Sequence, residues 1–289
     1  MFFFFRLLSR LPLRWVHRIG ALLGWGAYLL SPTYRKHLRE NMTQAGIPAQ
    51  LRGRIIGESG KQAIEPACIW LRPLEEVRAL AVEVSGWEHV EAAQAAGRGV
   101  IYLTPHLGCF EMIGQYISQF GKFTALYRVP KRQALHELIQ LGRIRGNQHL
   151  APADLSGVRA LIKALRQGQA VGMLPDQAPK EGEGIWLDYF GRPAYTMTLA
   201  ARLTETAATT LMTWGERLPD GRGYRLHFQP PSVPFSGDTL ARAAQINREM
   251  EALIRQCPQQ YLWGYHRYKR PKRAEPPPAL ADQNLQEGV

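Results

Sequence analysis

The sequence predicts an α/β fold with a largely parallel central sheet flanked by helices, preceded by an N-terminal membrane-associated helical segment. Apolar runs of strand length alternate with helical patterns from about residue 100 onward, which is typical of a parallel sheet. The N-terminal segment instead combines apolar side chains with arginines at helical spacing. With 289 residues, 45% of them hydrophobic, the chain is long enough to bury a substantial core.

The N-terminal segment, residues 1–32, is predicted to be a membrane anchor or an interfacial helix. Arginines recur every four residues from Arg6 to Arg18, so a helix would place them in one basic stripe beside apolar side chains. Pro12 is expected to interrupt or kink that helix. Residues 19–30 carry no charge, but this stretch is shorter than the ~20 residues that cross a bilayer comfortably. The pattern therefore favours an interfacial attachment, with a buried N-terminal helix as the alternative.

The α/β domain is expected to cover residues 33–273, followed by a disordered tail over 274–289. Its predicted strands cover residues 100–104, 123–127, 170–174, 207–214 and 224–229. Its predicted helices cover residues 109–120, 131–145, 157–167, 196–206 and 239–256. In a sheet of this kind, ligands bind beyond the carboxyl ends of the strands, which is where candidate functional residues are sought.

The charge of the chain restricts its partners. Lys and Arg total 36 against 24 Asp and Glu, a formal net charge of +12, which favours nucleic acid, anionic lipid or an acidic protein. The three cysteines form no CxxC pair, which argues against disulfides and a zinc ribbon and favours a reducing compartment. No residues have metal-ligand spacing, and no serine hydrolase, phosphate-binding or dinucleotide motif is present. We therefore expect no metal and no bound cofactor.

A histidine follows the predicted strand 100–104. Pro105 ends this strand and presents His106, and Glu111 follows five positions later at the start of the next helix. Gly108 allows a tight turn between them, so Glu111 is expected to hold the Nδ1–H of His106. The free Nε2 would then act as a general base, with N–H groups near Gly108 stabilising an oxyanion.

Each of these residues also has a simpler interpretation. His106 could be a structural histidine at a strand end, and the neighbouring Cys109 suggests a thiol nucleophile instead. His149 and Asp154 repeat the spacing of the pair. However, a cap for the helix near residue 157 is expected at Asp154 or Ser156, so we interpret His149 as structural or peripheral.

Five ordered blocks resemble the lysophospholipid acyltransferase superfamily and, within it, the bacterial lipid A late acyltransferases (lauroyl/myristoyl acyltransferases). The resemblance extends from about Gly97 to Lys272. The block HLGCFE at residues 106–111 resembles the H-x4-D/E catalytic box of the family. The other four blocks lie at residues 127–146, 173–179, 189–196 and 258–271.

The resemblance implies a set of site residues. His106 and Glu111 would be catalytic, with Glu111 orienting His106. The substrate-binding residues would be Gly108, Arg128, Arg145, Asp176, Gln177 and Thr196. Arg145 is expected to meet the anionic part of the acceptor, because a guanidinium presents paired donors to phosphate oxygens. Asp176 could instead cap a turn, and Arg143 and Arg145 could lie at a solvated helix end.

The implied reaction is transfer of a fatty acyl chain from an acyl thioester to a hydroxyl of a lipid A precursor. The thioester is a co-substrate, with acyl carrier protein as the expected donor and a coenzyme A thioester as the alternative. The other expected partners are the anionic lipid A precursor and the membrane, at the cytoplasmic face of the inner membrane. The basic run at residues 266–273 is assigned to lipid phosphates, not to nucleic acid. Two alternatives are a glycerophospholipid (lysophosphatidic acid) acyltransferase with the same site and a non-catalytic binding protein.

Overall fold

A computed structural model describes residues 2–277 of the chain. Within this range the strands are β1 (Ala81–Ser85), β2 (Val100–Leu103), β3 (Phe123–Tyr127), β4 (Gln148–Pro152), β5 (Ala170–Met173), β6 (Gly184–Tyr189), β7 (Arg192–Met197), β8 (Thr209–Arg217) and β9 (Tyr224–Gln229). The α-helices are α1 (Phe2–Ser9), α2 (Leu13–Leu30), α3 (Pro32–Gln44), α4 (Arg52–Ile64), α5 (Pro66–Leu71), α6 (Leu74–Ala79), α7 (Trp87–Ala95), α8 (Phe110–Ile117), α9 (Gln133–Arg143), α10 (Leu155–Arg166), α11 (Leu199–Thr204) and α12 (Thr239–Gln256).

The central sheet has seven strands in the order β1-β9-β8-β2-β5-β3-β4. All neighbouring pairs are parallel except β8 with β9, which run antiparallel. Every residue of β2 is buried, as expected for a strand covered by helices on both faces. The predicted α/β fold with a largely parallel sheet is therefore confirmed.

The strands that sequence patterns missed lie at edges or outside the central sheet. The edge strand β1 is largely exposed, and the opposite edge strand β4 ends at Pro152. Neither has the apolar run of a central strand, since an edge strand needs few buried side chains. Strands β6 and β7 form a separate antiparallel hairpin whose tight turn places Phe190 and Gly191 at positive φ. The predicted helix over 196–206 begins only at Leu199, because β7 occupies its first two positions.

Two apolar clusters cover the two faces of the sheet. One joins residues of α3, α4, α10, α11 and α12, and the other joins residues of α5, α7, α8 and α9. Asp154 accepts hydrogen bonds from the N–H groups of Ser156 and Gly157 at the start of α10. This confirms the predicted cap. His149 lies exposed on the edge strand β4.

The N-terminal helices break where Pro12 was expected to interrupt them. α2 packs closely on α4 because glycines face each other: a Cβ added at Gly60 would lie 1.9 Å from the oxygen of Gly20. Val16 and His17 on this side of α2 are buried, whereas Leu22 is 73% exposed. Among the described residues, no helix combines the length and the apolarity required to cross a bilayer.

The C-terminal segment of the described chain packs on the β6–β7 hairpin. The indole Nε1 of Trp186 donates a hydrogen bond to the oxygen of Glu275, 2.9 Å away, and Ala274 is buried. The part of the predicted tail from residue 278 to 289 lies outside the described residues.

Candidate active site

His106 and Asp176 meet at the carboxyl edge of the central sheet. His106 lies three residues after the end of β2, and Asp176 lies three residues after the end of β5. These strands are parallel neighbours with Leu103 opposite Met173, so the two loops leave the sheet side by side. The Nδ1 atom of His106 lies 2.7 Å from Oδ1 of Asp176, and the backbone N–H of His106 donates to Oδ2 at 2.9 Å.

Asp176 is 1% exposed, so its neighbours within the protein, and not water, determine whether its carboxyl group is ionised. Burial alone would raise the pKa of Asp176, but His106 and its hydrogen bonds, together with the charge of Arg267, lower it below the ordinary value. The ionised carboxylate therefore stabilises the fold at pH values above the ordinary pKa of an aspartate. This contribution is lost as the pH falls through the lowered pKa of Asp176. Because an ionised carboxylate only accepts hydrogen bonds, we assign the imidazole proton to Nδ1.

This assignment leaves the Nε2 lone pair of His106 as an acceptor. The side-chain Nε2 of Gln177 lies 3.1 Å from His106 Nε2 and donates to it. The ring of His106 is part-exposed, and the ring of Phe110 packs edge-on against it at 5.1 Å between centroids. The geometry is that of a histidine held through Nδ1 by a buried acid, which leaves Nε2 as the nitrogen that can accept a proton.

The prediction that Glu111 forms a hydrogen bond with His106 is wrong. Glu111 lies in the first turn of α8, where its Oε2 accepts hydrogen bonds from Nε of Arg143 at 2.9 Å and from Nε1 of Trp70 at 3.0 Å. Its other oxygen accepts from Nη2 of Arg143. The rotation of α8 turns the carboxylate towards α5 and α9, so Glu111 forms a second, separate charged pair. Its catalytic role stays a prediction.

Arg143, at the end of α9, forms an ion pair with Glu111. Burial alone would lower the pKa of Arg143, but the neighbouring Glu111 carboxylate raises it above the ordinary value. Gly142 allows this approach, since a Cβ there would lie 2.2 Å from the Trp70 side chain. Glu111, Arg143 and Trp70 therefore form a compact polar cluster beside the His106 loop.

Arg145 does not present its guanidinium to a ligand. Its Nη1 donates to the oxygens of Ile69 and Trp70, each at 3.0 Å, and its Nη2 donates to the oxygen of Arg72. These carbonyls belong to the end of α5, which has no further helical turn to satisfy them. The prediction of a phosphate-binding fork at Arg145 is wrong, and the residue instead secures the end of α5.

Gly108 shapes the loop but does not provide a free donor. Its φ of +58° and its approach to Gly215, whose oxygen a Cβ would reach at 2.0 Å, both require glycine. Its N–H donates to the oxygen of Gln260 at 3.0 Å, and the N–H of Cys109 donates to the oxygen of Gly215 at 2.7 Å. These two N–H groups are therefore engaged within the protein, and the expectation that N–H groups near Gly108 and at the start of the next helix stabilise an oxyanion stays a prediction.

The remaining predicted residues lie in different environments. Thr196 is buried on β7, where its hydroxyl accepts hydrogen bonds from Asn247 and from Nη2 of Arg267. It thus holds Arg267, whose charge lowers the pKa of Asp176, and its substrate-binding role stays a prediction. Arg128 is exposed directly after β3, at the same edge of the sheet as His106.

Cys109 is not placed to act as a nucleophile. Its side chain is 1% exposed, and burial raises the pKa of the thiol well above its ordinary value. Among residues 2–277, no three His, Cys, Asp or Glu side chains converge as metal ligands.

The fold and this edge define an α/β protein with an acid-held histidine beside a buried carboxylate–guanidinium pair. Residues 1–270 match the family model described as bacterial lipid A biosynthesis acyltransferase, and the chain belongs to this family of acyltransferases. It is 28% identical over 284 residues to a lipid A biosynthesis lauroyltransferase of Escherichia coli, covering 91% of this chain and 88% of that protein. It is also 28% identical over 229 residues to a lipid A biosynthesis palmitoleoyltransferase of Escherichia coli, covering 76% and 73%. A phosphatidylinositol mannoside acyltransferase of Mycobacterium tuberculosis is 29% identical over 165 residues, covering 55% and 51%.

Proposed function

We propose that the protein transfers a fatty acyl chain from an acyl carrier protein thioester to a hydroxyl group of a lipid A precursor. The observation that carries this proposal is the His106–Asp176 pair at the carboxyl edge of the sheet, which holds Nδ1 of His106 and leaves Nε2 as the acceptor. This pair is suited to removing a proton from an alcohol, which is the step that acyl transfer to a hydroxyl requires.

In the proposed reaction, Nε2 of His106 accepts the proton of the acceptor hydroxyl. The oxygen forms a C–O bond to the thioester carbonyl carbon, and the C–S bond then breaks. The imidazolium returns its proton to the departing thiolate. Asp176 keeps the ring oriented and stabilises the imidazolium that forms between the two steps.

Before the substrate binds, the side chain of Gln177 occupies the position of the acceptor hydroxyl. Its amide N–H occupies the His106 lone pair in the free protein, at the position where the acceptor hydroxyl would bind. Displacement of this amide by the substrate leaves its N–H group near the reacting carbonyl, where negative charge develops. Arg128 is exposed at the same edge of the sheet, which suits an acceptor that carries phosphate.

The acyl donor assignment is supported by charge. The chain has a formal net charge of +12, and acyl carrier protein is strongly acidic, so electrostatic steering would favour their encounter.

Membrane association is proposed from the N-terminal apolar surface. We use this name for the exposed apolar side chains of α1 and α2, which are Phe2, Phe3, Phe4, Leu7, Trp15, Leu22, Leu23, Trp25, Leu29 and Leu30. Arg6 on α1, Arg14 and Arg18 on α2, and Arg10 in the turn between these helices are all exposed. Apolar side chains flanked by exposed arginines suit the interface of a membrane that contains anionic lipid. A protein of this family acting on a lipid substrate is expected at the cytoplasmic face of the inner membrane.

The membrane proposal predicts the behaviour of a double variant. Leu22→Asp combined with Leu29→Asp should lower binding to phosphatidylglycerol vesicles by at least about tenfold, because two exposed leucines would no longer enter the membrane interface. Vesicle co-sedimentation measures the partition. Leu155→Asp is the matched control, because Leu155 is 76% exposed on α10, outside the N-terminal apolar surface. Equal binding of the double variant and the control would contradict the proposal.

The substrate assignment is tested with two donors and two acceptors. Radiolabelled acyl carrier protein and coenzyme A thioesters are each offered with a lipid A precursor and with lysophosphatidic acid, under matched detergent and salt. We expect transfer from acyl carrier protein to the lipid A precursor. Transfer to lysophosphatidic acid alone would establish the glycerophospholipid alternative, and transfer from coenzyme A alone would contradict the donor assignment.

A further inference from the structure

We propose that Gln62 of α4 is a positioning residue for His106, holding the loop that carries the general base. This inference deepens the proposed function and rests on it for the chemical step. The side-chain Nε2 of Gln62 donates to the backbone oxygens of His106 and Gly108, each at 3.1 Å. One amide group therefore uses both of its N–H donors on the two carbonyls that flank Leu107.

The Gln62 contact completes the restraint of this loop. The N–H groups of the loop are held by Asp176, Gln260 and Gly215. The oxygen of His106 also accepts from the N–H of Leu262. The oxygen of Gly108 accepts from Gln62, the side chain on α4 that reaches the loop. Loss of Gln62 would therefore remove the side-chain donor to the oxygen of Gly108 and leave the oxygen of His106 with Leu262 alone. The less restrained loop would then open its N–H contacts more often.

The helix that carries Gln62 is itself rigidly held. Glu58, one turn before Gln62, and Glu65, at the end of α4, both pair with the buried guanidinium of Arg217 on β8. Burial alone would raise the pKa of Glu65, but Arg217 lowers it to about 2, so the pair is ionised at neutral pH. The two ion pairs fix the rotation of α4 about its axis, and Gln62 lies on the same side as Glu58 because they are four residues apart.

The position of Gln62 has a consequence for catalysis. General-base transfer requires the imidazole nitrogen within hydrogen-bond reach of the hydroxyl and in line with the thioester. Asp176 fixes the rotation of the ring, whereas Gln62 fixes the backbone from which the ring extends. A displacement of this backbone by about 1 Å costs on the order of 10²-fold in rate.

The test uses two variants of the full chain. Gln62→Met keeps the length of the side chain but removes both donors, and Gln62→Glu directs a carboxylate at the two carbonyls. We expect kcat to fall by roughly 10- to 100-fold in Gln62→Met, and further in Gln62→Glu, with little change in KM. Amide hydrogen exchange at Gly108 and Cys109 should accelerate in both variants, and this measurement does not depend on the substrate.

The matched control is Gln44→Met on α3. Gln44 is also a partly buried helical glutamine whose Nε2 donates to a backbone carbonyl, that of Phe190 at 2.7 Å. The control should keep its kcat and its exchange rates at Gly108 and Cys109. Unchanged exchange in both Gln62 variants, or faster exchange with unchanged kcat, would overturn the inference. If the unmodified protein transferred no acyl group to any acceptor, the proposed function would fail, and the exchange rates alone would decide whether Gln62 holds the loop.

Discussion

Asp176→Asn is expected to lower kcat by on the order of 10⁴-fold while leaving the fold intact. An asparagine in this position keeps the shape of the side chain but cannot hold the proton on Nδ1 or stabilise the imidazolium. The basic nitrogen of His106 would then face the wrong way for proton transfer. Steady-state acyl transfer, with circular dichroism to verify folding, measures the effect.

The comparison with two further variants makes this prediction specific. His106→Ala should lose at least the ~10²- to 10⁴-fold that general-base catalysis supplies. Glu111→Gln should lose less than Asp176→Asn, because Glu111 contacts Arg143 and Trp70 and not His106. A Glu111→Gln variant that was inactive beside a fully active Asp176→Asn variant would restore the His106–Glu111 pairing that the sequence suggested.

Arg143→Met is expected to destabilise the protein by about 3–5 kcal/mol, because it leaves the Glu111 carboxylate buried without its cation. Both partners are shielded from water, with side-chain exposures of 19% for Arg143 and 7% for Glu111. Trp70 alone would then donate to the carboxylate. Urea denaturation at neutral pH measures the free energy of unfolding.

A double variant and an exposed pair serve as controls for this result. Adding Glu111→Gln to Arg143→Met removes the unpaired charge and should recover part of the lost stability. Arg225→Met should cost only about 0–1 kcal/mol, because Arg225 pairs with Glu83 and Glu216 at the surface. If Arg143→Met and Arg225→Met lowered the free energy of unfolding equally, the Glu111–Arg143 pair would contribute no more to stability than a surface ion pair.

Local sequence patterns were sufficient to predict the bounds of strands and helices that are buried or long. The strands β3 and β9 and the helix α12 have the bounds that their apolar patterns predicted. Pro105 follows a strand that is buried along its whole length, so the placement of His106 at the edge of the sheet also followed from residues near it in the chain. The five blocks identified the family on the same basis, as contiguous segments of sequence.

The partners within the site were decided by tertiary structure. Asp176 lies 70 residues after His106, and only the parallel pairing of β2 with β5 places the two loops side by side. Arg143 and Arg145 lie only two residues apart, yet one pairs with Glu111 and the other binds the carbonyls at the end of α5, which depends on how the end of α9 meets α5. The N–H of Gly108 is bound by Gln260, far away in sequence. Periodicity along the chain determines which residues face the core, but a hydrogen bond between distant residues depends on strand register and helix rotation, which the folded chain sets as a whole.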